Sequence, residues 1–286
     1  MSHAVPRRLH RALPALLFLA AACGRSSDAQ TAPLPTTKLA ADTWLITAPT
    51  GNLVAGVGRD GAILVGVQSA ALTPRLKATV AALNPAPIRF VVATAGPGAA
   101  EAGGAGWDAL GVSVVMHEAL VGAGRQARAP LPRIGFSEVT QLLANDDYLH
   151  VVHQPAGYSN ADVSAHFERA NVLYLGYSFT TDGYPTIGAG GSLAGLIETA
   201  DKFLQFPPTM QIVPGRGPVS NVAGLREYRD MLAAIQARLQ PMVATGKTPA
   251  DVAAAHVTAP FDARWGRGPV SGAQFAAAAF ASLGGR

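Results

Sequence analysis

Residues 89–104 read RFVVATAGPGAAEAGG and join a valine-rich apolar run to a loop of small residues. A short apolar run followed by Gly and Pro is typical of a buried strand that leads to a loop at the edge of a sheet. Loops in such positions often carry binding or catalytic side chains. This one presents Ala95, Pro97, Ala99 and Ala100, whose side chains contain no hydrogen-bonding group, nucleophile or metal ligand. The sequence therefore predicts the platform of a site without the usual chemistry.

Composition and charge indicate a globular protein without a nucleic-acid surface. Of the 286 residues, 49% are hydrophobic and 14% are charged, which is enough apolar material for a sizeable core. The formal net charge is +4, but three arginines and no acidic residues lie among the first 23 residues, so removal of this segment leaves +1. No other run of Lys and Arg predicts binding to DNA or RNA.

The N-terminus has the pattern of an export signal. Its arginines precede an apolar run at residues 12–22, which is too short for a permanent transmembrane helix, and small residues precede Cys23. Ala-Ala-Ala-Cys resembles the end of a bacterial lipoprotein signal, which implies lipidation of Cys23; ordinary signal cleavage near Ala22 is the alternative. Cys23 is the only cysteine and cannot form an internal disulfide. We expect a signal peptide at 1–23, a flexible tether at 24–42, and a periplasmic protein anchored to a membrane.

Residues 43–286 alternate between strand-like and helix-like segments. Short β-branched runs at 43–48, 52–57 and 62–67 predict consecutive hairpins, after which strands and helices alternate up to a C-terminal helical tail. This order predicts an α/β (α+β) fold in which helices cover two mainly antiparallel sheets, an αββα sandwich. A doubly wound parallel sheet is the alternative. The sequence GRGPVS occurs twice, and we expect Ser220 and Ser271 at its ends to cap the following helices.

Four segments of this domain have a recognisable order and framing. Thr94 and Gly103 frame the first; the others contain Gly157 and Ser159, residues 171–173 with Gly176, and residues 213–215 with Gly217 and Pro218. In these features the chain resembles the metallo-β-lactamase-fold hydrolase superfamily over residues 43–283. The superfamily's corresponding motifs are T-H-x-H-x-D-H-x-G-G, G-H-(T/S), a strand ending in G-D, and P-G-H-G-P. The resemblance implies the αββα sandwich of the metallo-β-lactamase type.

The same resemblance implies where zinc ligands would stand, and the chain departs from the pattern at each of these positions. The vestigial metal-site positions are Ala95, Pro97, Ala99, Ala100, Tyr158, Tyr177 and Arg216. Zinc in proteins is bound by imidazole, thiolate or carboxylate groups, and an arginine's fixed positive charge repels it. Without the metal there is no activated hydroxide. We therefore expect no zinc or other cofactor, no catalytic residue at these positions, and no metallo-hydrolase activity.

Other polar residues do not rebuild a site in the sequence. His150 and His153 are three apart on a predicted strand, so their side chains point to opposite faces and cannot chelate one ion. His117 and His166 lie in strand-like runs, where a structural histidine with satisfied hydrogen bonds is expected. Asp162 is expected to accept backbone N–H bonds in a turn. No Gly-x-Ser-x-Gly sequence indicates a serine nucleophile.

Tyr158, Tyr177 and Arg216 leave two interpretations open. The rings and the guanidinium can stack through a cation–π contact and fill the cavity, or they can line an open pocket in which Arg216 binds a small anionic ligand. The leading hypothesis is an exported, non-catalytic protein that serves as a binding or accessory module for such a ligand or for a protein partner. The alternative is a hydrolase of the same superfamily that uses a metal-free or rearranged site in the same cleft.

Overall fold

The computed structural model describes residue 1 and residues 31–67, 70–96, 107, 110–126 and 134–285. The predicted signal peptide after Met1, including Cys23, lies outside these ranges. Where the chain is described, no helix is long and apolar enough to cross a membrane.

The strands form two sheets. The first contains, in spatial order, β1 (Thr36–Lys38), β2 (Thr43–Ala48), β3 (Gly51–Gly58), β4 (Gly61–Val67), β5 (Ile88–Ala93), β6 (Ser113–His117) and β7 (Ile134–Phe136). The second contains, also in spatial order, β12 (Gln211–Arg216), β11 (Val172–Thr180), β10 (Val163–Phe167), β9 (Asp147–His153) and β8 (Val139–Ala144). Strands β4 to β7 run parallel, so only half of the first sheet is antiparallel, contrary to the prediction of two mainly antiparallel sheets.

Helices cover the outer faces of both sheets. They are α1 (Thr73–Leu83), α2 (Glu118–Gln126), α3 (Leu193–Phe203), α4 (Val222–Ala244), α5 (Pro249–Ala255), α6 (Ala259–Trp265) and α7 (Gly272–Ser282). One apolar cluster lies between the sheets, with Val54, Val92, Val151 and Val213 among its members. A second joins α1 to the first sheet, and a third joins α3, α4 and α7 to the second sheet. This layering confirms the αββα sandwich.

The prediction of a flexible tether over residues 24–42 is wrong for its C-terminal part. Strand β1 pairs with β2 in antiparallel register, with Thr37 opposite Leu45. Leu34 is buried in the cluster beneath α1, and its N–H donates to the Thr79 hydroxyl at 2.8 Å. The pairing satisfies backbone groups and the leucine buries apolar surface, and both effects favour an ordered segment.

The two serines that end the GRGPVS copies have different roles. Ser271 caps α7 as predicted, and its hydroxyl accepts from the Gln274 N–H. Ser220 does not cap α4; its backbone instead exchanges two hydrogen bonds with Ile212, and Asn221 is the capping residue. The short strands β7 and β8 were not predicted, and the tail contains three helices, α5 to α7, where two were expected.

Candidate functional site

Four of the seven vestigial positions lie within the described residues. Ala95 follows β5 and is buried. Tyr158 lies in the loop between β9 and β10, Tyr177 within β11, and Arg216 at the end of β12. The remaining three positions, Pro97, Ala99 and Ala100, are outside the described residues. The structure brings the two tyrosines and the arginine together, as the following contacts show.

The two tyrosine rings pack against each other. Their centroids are 5.1 Å apart and the ring planes are inclined by 45°. The Tyr177 hydroxyl donates a hydrogen bond to the backbone carbonyl of Thr50, in the turn between β2 and β3. Burial raises the pKa of both phenols above the usual value; nearby Arg216 partly opposes this effect at Tyr177. Both side chains therefore remain protonated at neutral pH and act as neutral groups.

Arg216 points to an acidic side chain. Its Nη2 lies 3.3 Å from Oδ1 of Asp182 and donates to the Tyr184 carbonyl oxygen at 3.4 Å. The Asp182 Oδ1 and the Arg216 Nε are both buried without a hydrogen-bond partner. The contact between the two side chains is therefore an ion pair without hydrogen-bond geometry. The side chains are 18% and 34% exposed. The cation–π contacts of the described residues involve Lys38, Arg238 and Arg264, so the predicted stacking of Arg216 on tyrosine is replaced by an ion pair.

The loop that carries Arg216 is fixed by the first sheet. The buried side chain of Asn52 donates from Nδ2 to the carbonyl oxygens of Pro214 at 3.0 Å and Gly217 at 2.8 Å. Gly215 lies against β11 so closely that a Cβ there would come within 2.6 Å of the Gly176 carbonyl carbon. Only glycine tolerates this approach of two backbones. The position of Arg216 is therefore set by residues of both sheets.

Asp162 organises the loop that carries Tyr158. Its buried carboxylate accepts from the backbone N–H groups of Gly157, Tyr158 and Ser159, at 3.2, 2.6 and 2.9 Å, and from the hydroxyls of Ser159 and Ser178, at 3.0 and 2.8 Å. Burial raises the pKa of this carboxyl group, and the hydrogen bonds from Ser178, Tyr158 and Ser159 oppose that shift. The prediction that Asp162 accepts backbone N–H bonds in a turn is confirmed.

Four of the described histidines form two separate stacked groups. His117 and His153 stack with centroids 4.0 Å apart and nearly parallel planes, and their Nε2 atoms contact the carbonyl oxygens of Ser137 and Asn160. His150 contacts Gln141 and Glu168, so it does not share a ligand with His153. Burial lowers the pKa of His117, and its neighbour His153 adds to this effect.

His166 differs from the sequence expectation. Its ring stacks loosely on His150, with centroids 6.2 Å apart, and meets Phe206 edge-on at 5.7 Å. The Nε2 atom is buried without a hydrogen-bond partner, so the prediction of a satisfied structural histidine is wrong for this ring. Burial also lowers the pKa of His166, which keeps the ring neutral.

The donor set does not fit zinc. A methyl group, two neutral phenols and a guanidinium stand at the four described vestigial positions, and none of them is an imidazole, thiolate or carboxylate. Within the part of the chain that the structure describes, no group of three or more His, Cys, Asp or Glu side chains is placed to hold a metal ion. No step of a reaction can therefore be assigned to a metal held by these side chains.

The fold is that of the metallo-β-lactamases. A metallo-β-lactamase from Pontibacter korlensis superposes with a TM-score of 0.62 and 19% identity, over 70% of this chain and 99% of its own. DIM-1 metallo-β-lactamase superposes with a TM-score of 0.60 and 13% identity, over 70% of this chain and 97% of its own. A metallo-β-lactamase from Hirschia baltica superposes with a TM-score of 0.58 and 17% identity, over 70% of this chain and 98% of its own. No protein-family model and no curated protein sequence matches the chain.

Sequence reasoning missed the partners of the three clustered side chains. Asp182 neutralises Arg216 from a turn that follows β11, and Asn52 supports the Arg216 loop from a distant strand. Thr50 contributes only a carbonyl oxygen, which every residue possesses. No motif marks these three positions, because their roles arise from contacts between segments far apart in the sequence.

Proposed function

We propose that this protein is an exported, lipid-anchored metallo-β-lactamase-fold protein that acts as a binding or accessory module and not as a zinc hydrolase. The observation that carries the proposal is the side-chain cluster of Tyr158, Tyr177, Arg216 and Asp182, hereafter the tyrosine–arginine cluster. Its members are engaged with one another and with backbone carbonyls in place of a metal. The cluster supports the interpretation in which the former cavity is filled.

The chemistry of the cluster opposes activation of water. A hydrolytic zinc site needs lone pairs that converge on the ion and one open coordination position. The phenols keep their protons and the guanidinium is always positively charged, so neither supplies an anionic ligand for a cation. Without a bound metal, the pKa of a water molecule in the cleft is not lowered and hydroxide is not formed at neutral pH.

The charge balance of the cluster favours a protein partner over a small anionic ligand. Asp182 already matches the positive charge of Arg216, whose side chain is largely buried. An incoming anion would have to displace this carboxylate and would leave it unpaired. The cost of leaving the partly buried Asp182 carboxylate unpaired would offset part of the anion's binding energy.

Zinc content and activity test the proposal directly. We expect purified protein to contain far less than one zinc per chain by elemental analysis, and added zinc to leave its melting temperature unchanged. Arg216→His should not restore binding, because one imidazole cannot replace a full ligand set. Stoichiometric zinc in the native protein, or turnover of a β-lactam, thioester or phosphodiester that chelators abolish, would overturn the non-catalytic assignment. Turnover that persists in chelator would favour the metal-free hydrolase.

Inorganic phosphate serves as the probe for an anionic ligand. We expect no phosphate-dependent change in melting temperature for the native protein. A saturable increase that disappears in Arg216→Ala would identify an open anion pocket and contradict the filled cluster. An equal increase in native protein and Arg216→Ala would locate the effect elsewhere and leave the filled cluster as proposed.

Localisation has its own test. The export pattern of residues 1–23 supports secretion, and Cys23 supports lipid attachment. We expect the protein to fractionate with membranes when expressed in a bacterium and Cys23→Ser to shift it to the soluble periplasmic fraction. Equal distribution of the two forms would argue for ordinary signal cleavage.

A further inference from the structure

Exposed apolar side chains are concentrated on the β8–β9 hairpin. Apart from Met1, the described residues contain four exposed large hydrophobic side chains, and three of them are Val139, Leu143 and Tyr148, which are 56%, 63% and 49% exposed. Leu143 lies directly opposite Tyr148, and Val139 lies opposite Val152. These residues therefore share one outward face of the second sheet. Monomeric proteins generally avoid apolar side chains clustered at one place on the surface.

Strand β8 is also an open edge. It is the last strand of the five-stranded sheet, and among the described strands it pairs only with β9. The His153 N–H donates to the Glu138 carbonyl at 2.8 Å, so the even-numbered residues direct their backbone groups to β9. Because these directions alternate along an antiparallel strand, the N–H and C=O groups of Val139, Gln141 and Leu143 point to the free side.

The sequence of β8 does not protect this edge. Proteins usually shield edge strands by shortening them or by adding lysine, proline or a bulge. Strands β1 and β7, which end the other sheet, have three residues each, and β1 carries Lys38. Strand β12, at the opposite end of the second sheet, is bridged by Ser220. In contrast, β8 has six residues, VTQLLA, with no charge and no proline.

We propose that β8 pairs with β8 of a second copy of this chain in an antiparallel dimer whose two-fold axis passes beside Gln141. This surface is independent of the tyrosine–arginine cluster. Gln141 then faces Gln141 of the other copy, and Val139 faces Leu143 on both sides of the axis. All three residues have outward backbone groups, so the register forms about six intermolecular hydrogen bonds and joins the two sheets into one.

This register is selected by the side chains as well as by the backbone. A shift by one residue would place the odd-numbered residues of one copy opposite the even-numbered residues of the other. The backbone groups of the even-numbered residues already point to β9, so the intermolecular hydrogen bonds would be lost. A shift by two would move Val139 beyond Leu143 and lose pairs at one end. In the proposed register, a continuous apolar row crosses four strands. It consists of Tyr148 and Leu143 of one copy followed by Val139 and Val152 of the other. Glu138 lies opposite Ala144, so no like charges face each other.

The assembly state of the full-length protein in detergent tests the dimer. We expect sedimentation equilibrium to show a concentration-dependent dimer, and Leu143→Lys to weaken its association at least tenfold, because a charge replaces the apolar contact and repels its surroundings. Leu110→Lys, at the remaining exposed apolar position, is the matched control and should associate as the native protein does. A monomer at all concentrations, or equal weakening by both variants, would overturn the proposal.

Crosslinking tests the register. In the Cys23→Ser background, Gln141→Cys places two thiols at the axis with Cα atoms about 5.5 Å apart, and a short bismaleimide should join them efficiently. Gln240→Cys, at an exposed position of α4, should remain uncrosslinked under the same conditions. A dimer that persists in Leu143→Lys and does not crosslink through residue 141 would show that another surface, or the N-terminal segment, holds the copies together.

Discussion

Two charged side chains lie beside the clustered tyrosines, and they are held very differently. The Asp162 carboxylate accepts four hydrogen bonds from the loop that it organises and a fifth from Ser178 in β11. Arg216 has one ionic contact and one long hydrogen bond, and its Nε has no partner. Asp162 therefore belongs to the framework of the fold, by which we mean the contacts that hold its loops in place. The Arg216 side chain makes few specific contacts, so its replacement should cost less stability. Substitutions should affect stability accordingly.

Removal of the Asp162 carboxylate should have the largest effect. Asp162→Ala leaves three backbone N–H groups and two hydroxyls without their acceptor in a buried loop, so we expect a loss of about 3 kcal/mol or more in the free energy of unfolding. Urea denaturation measures this value. Asp162→Asn preserves the shape and part of the acceptor capacity, and should be less destabilising. Equal and small losses of unfolding free energy in both variants would show that Asp162 does not stabilise its loop.

Separation of Arg216 from Asp182 should cost less. We expect a double-mutant cycle with Arg216→Met and Asp182→Asn to give a coupling energy of about 1 kcal/mol, since the pair is partly buried and imperfectly hydrogen-bonded. The exposed pair Arg169–Asp42, with an N–O distance of 2.7 Å, is the comparison. Its coupling should be smaller because water screens both groups. A larger coupling in the exposed pair would show that Arg216 and Asp182 hardly interact.

The hydroxyl of Tyr177 should contribute a single hydrogen bond. Tyr177→Phe removes the bond to the Thr50 carbonyl and keeps the ring contact with Tyr158, so we expect a loss of about 1 kcal/mol in thermal or urea unfolding. Tyr158→Phe is the control, with an expected change below about 0.5 kcal/mol. Reversed magnitudes would assign the anchoring role to Tyr158.

Acidification should weaken the framework through buried histidines. The pKa of His117 is lowered in the folded protein, so below the unfolded value of about 6.5 the unfolded chain binds a proton that the folded chain excludes. The stabilising contribution is complete above pH 6.5 and is lost as the pH falls through the lowered pKa. The urea midpoint should therefore be lower at pH 5.5 than at pH 7.5, and His117→Gln should reduce this difference. An unchanged difference would exclude His117 as a contributor.

The secondary structure of this chain was largely readable from local patterns. Helix α1 spans Thr73–Leu83, where a proline in the first turn and apolar residues at helical spacing favour a helix locally. The strands β7 and β8 were not predicted. The three-residue β7 is a strand only through its pairing with β6, whereas β8 is mostly apolar and pairs with β9 across the turn at Asn145 and Asp146. Residues 34–38 looked like a tether because their polar, proline-containing composition hides a pairing with β2.

The sequence by itself determined which chemical groups are available at the vestigial positions, and so the absence of zinc-binding side chains there. It also determined most of the strands and helices, since periodicity and turn residues act over a few positions. Only the tertiary structure decided that Arg216 pairs with Asp182, that Tyr177 reaches Thr50, and that β8 leaves an unprotected edge. These features depend on distances between segments remote in the chain, and such distances are fixed by packing of the two sheets and not by any local preference.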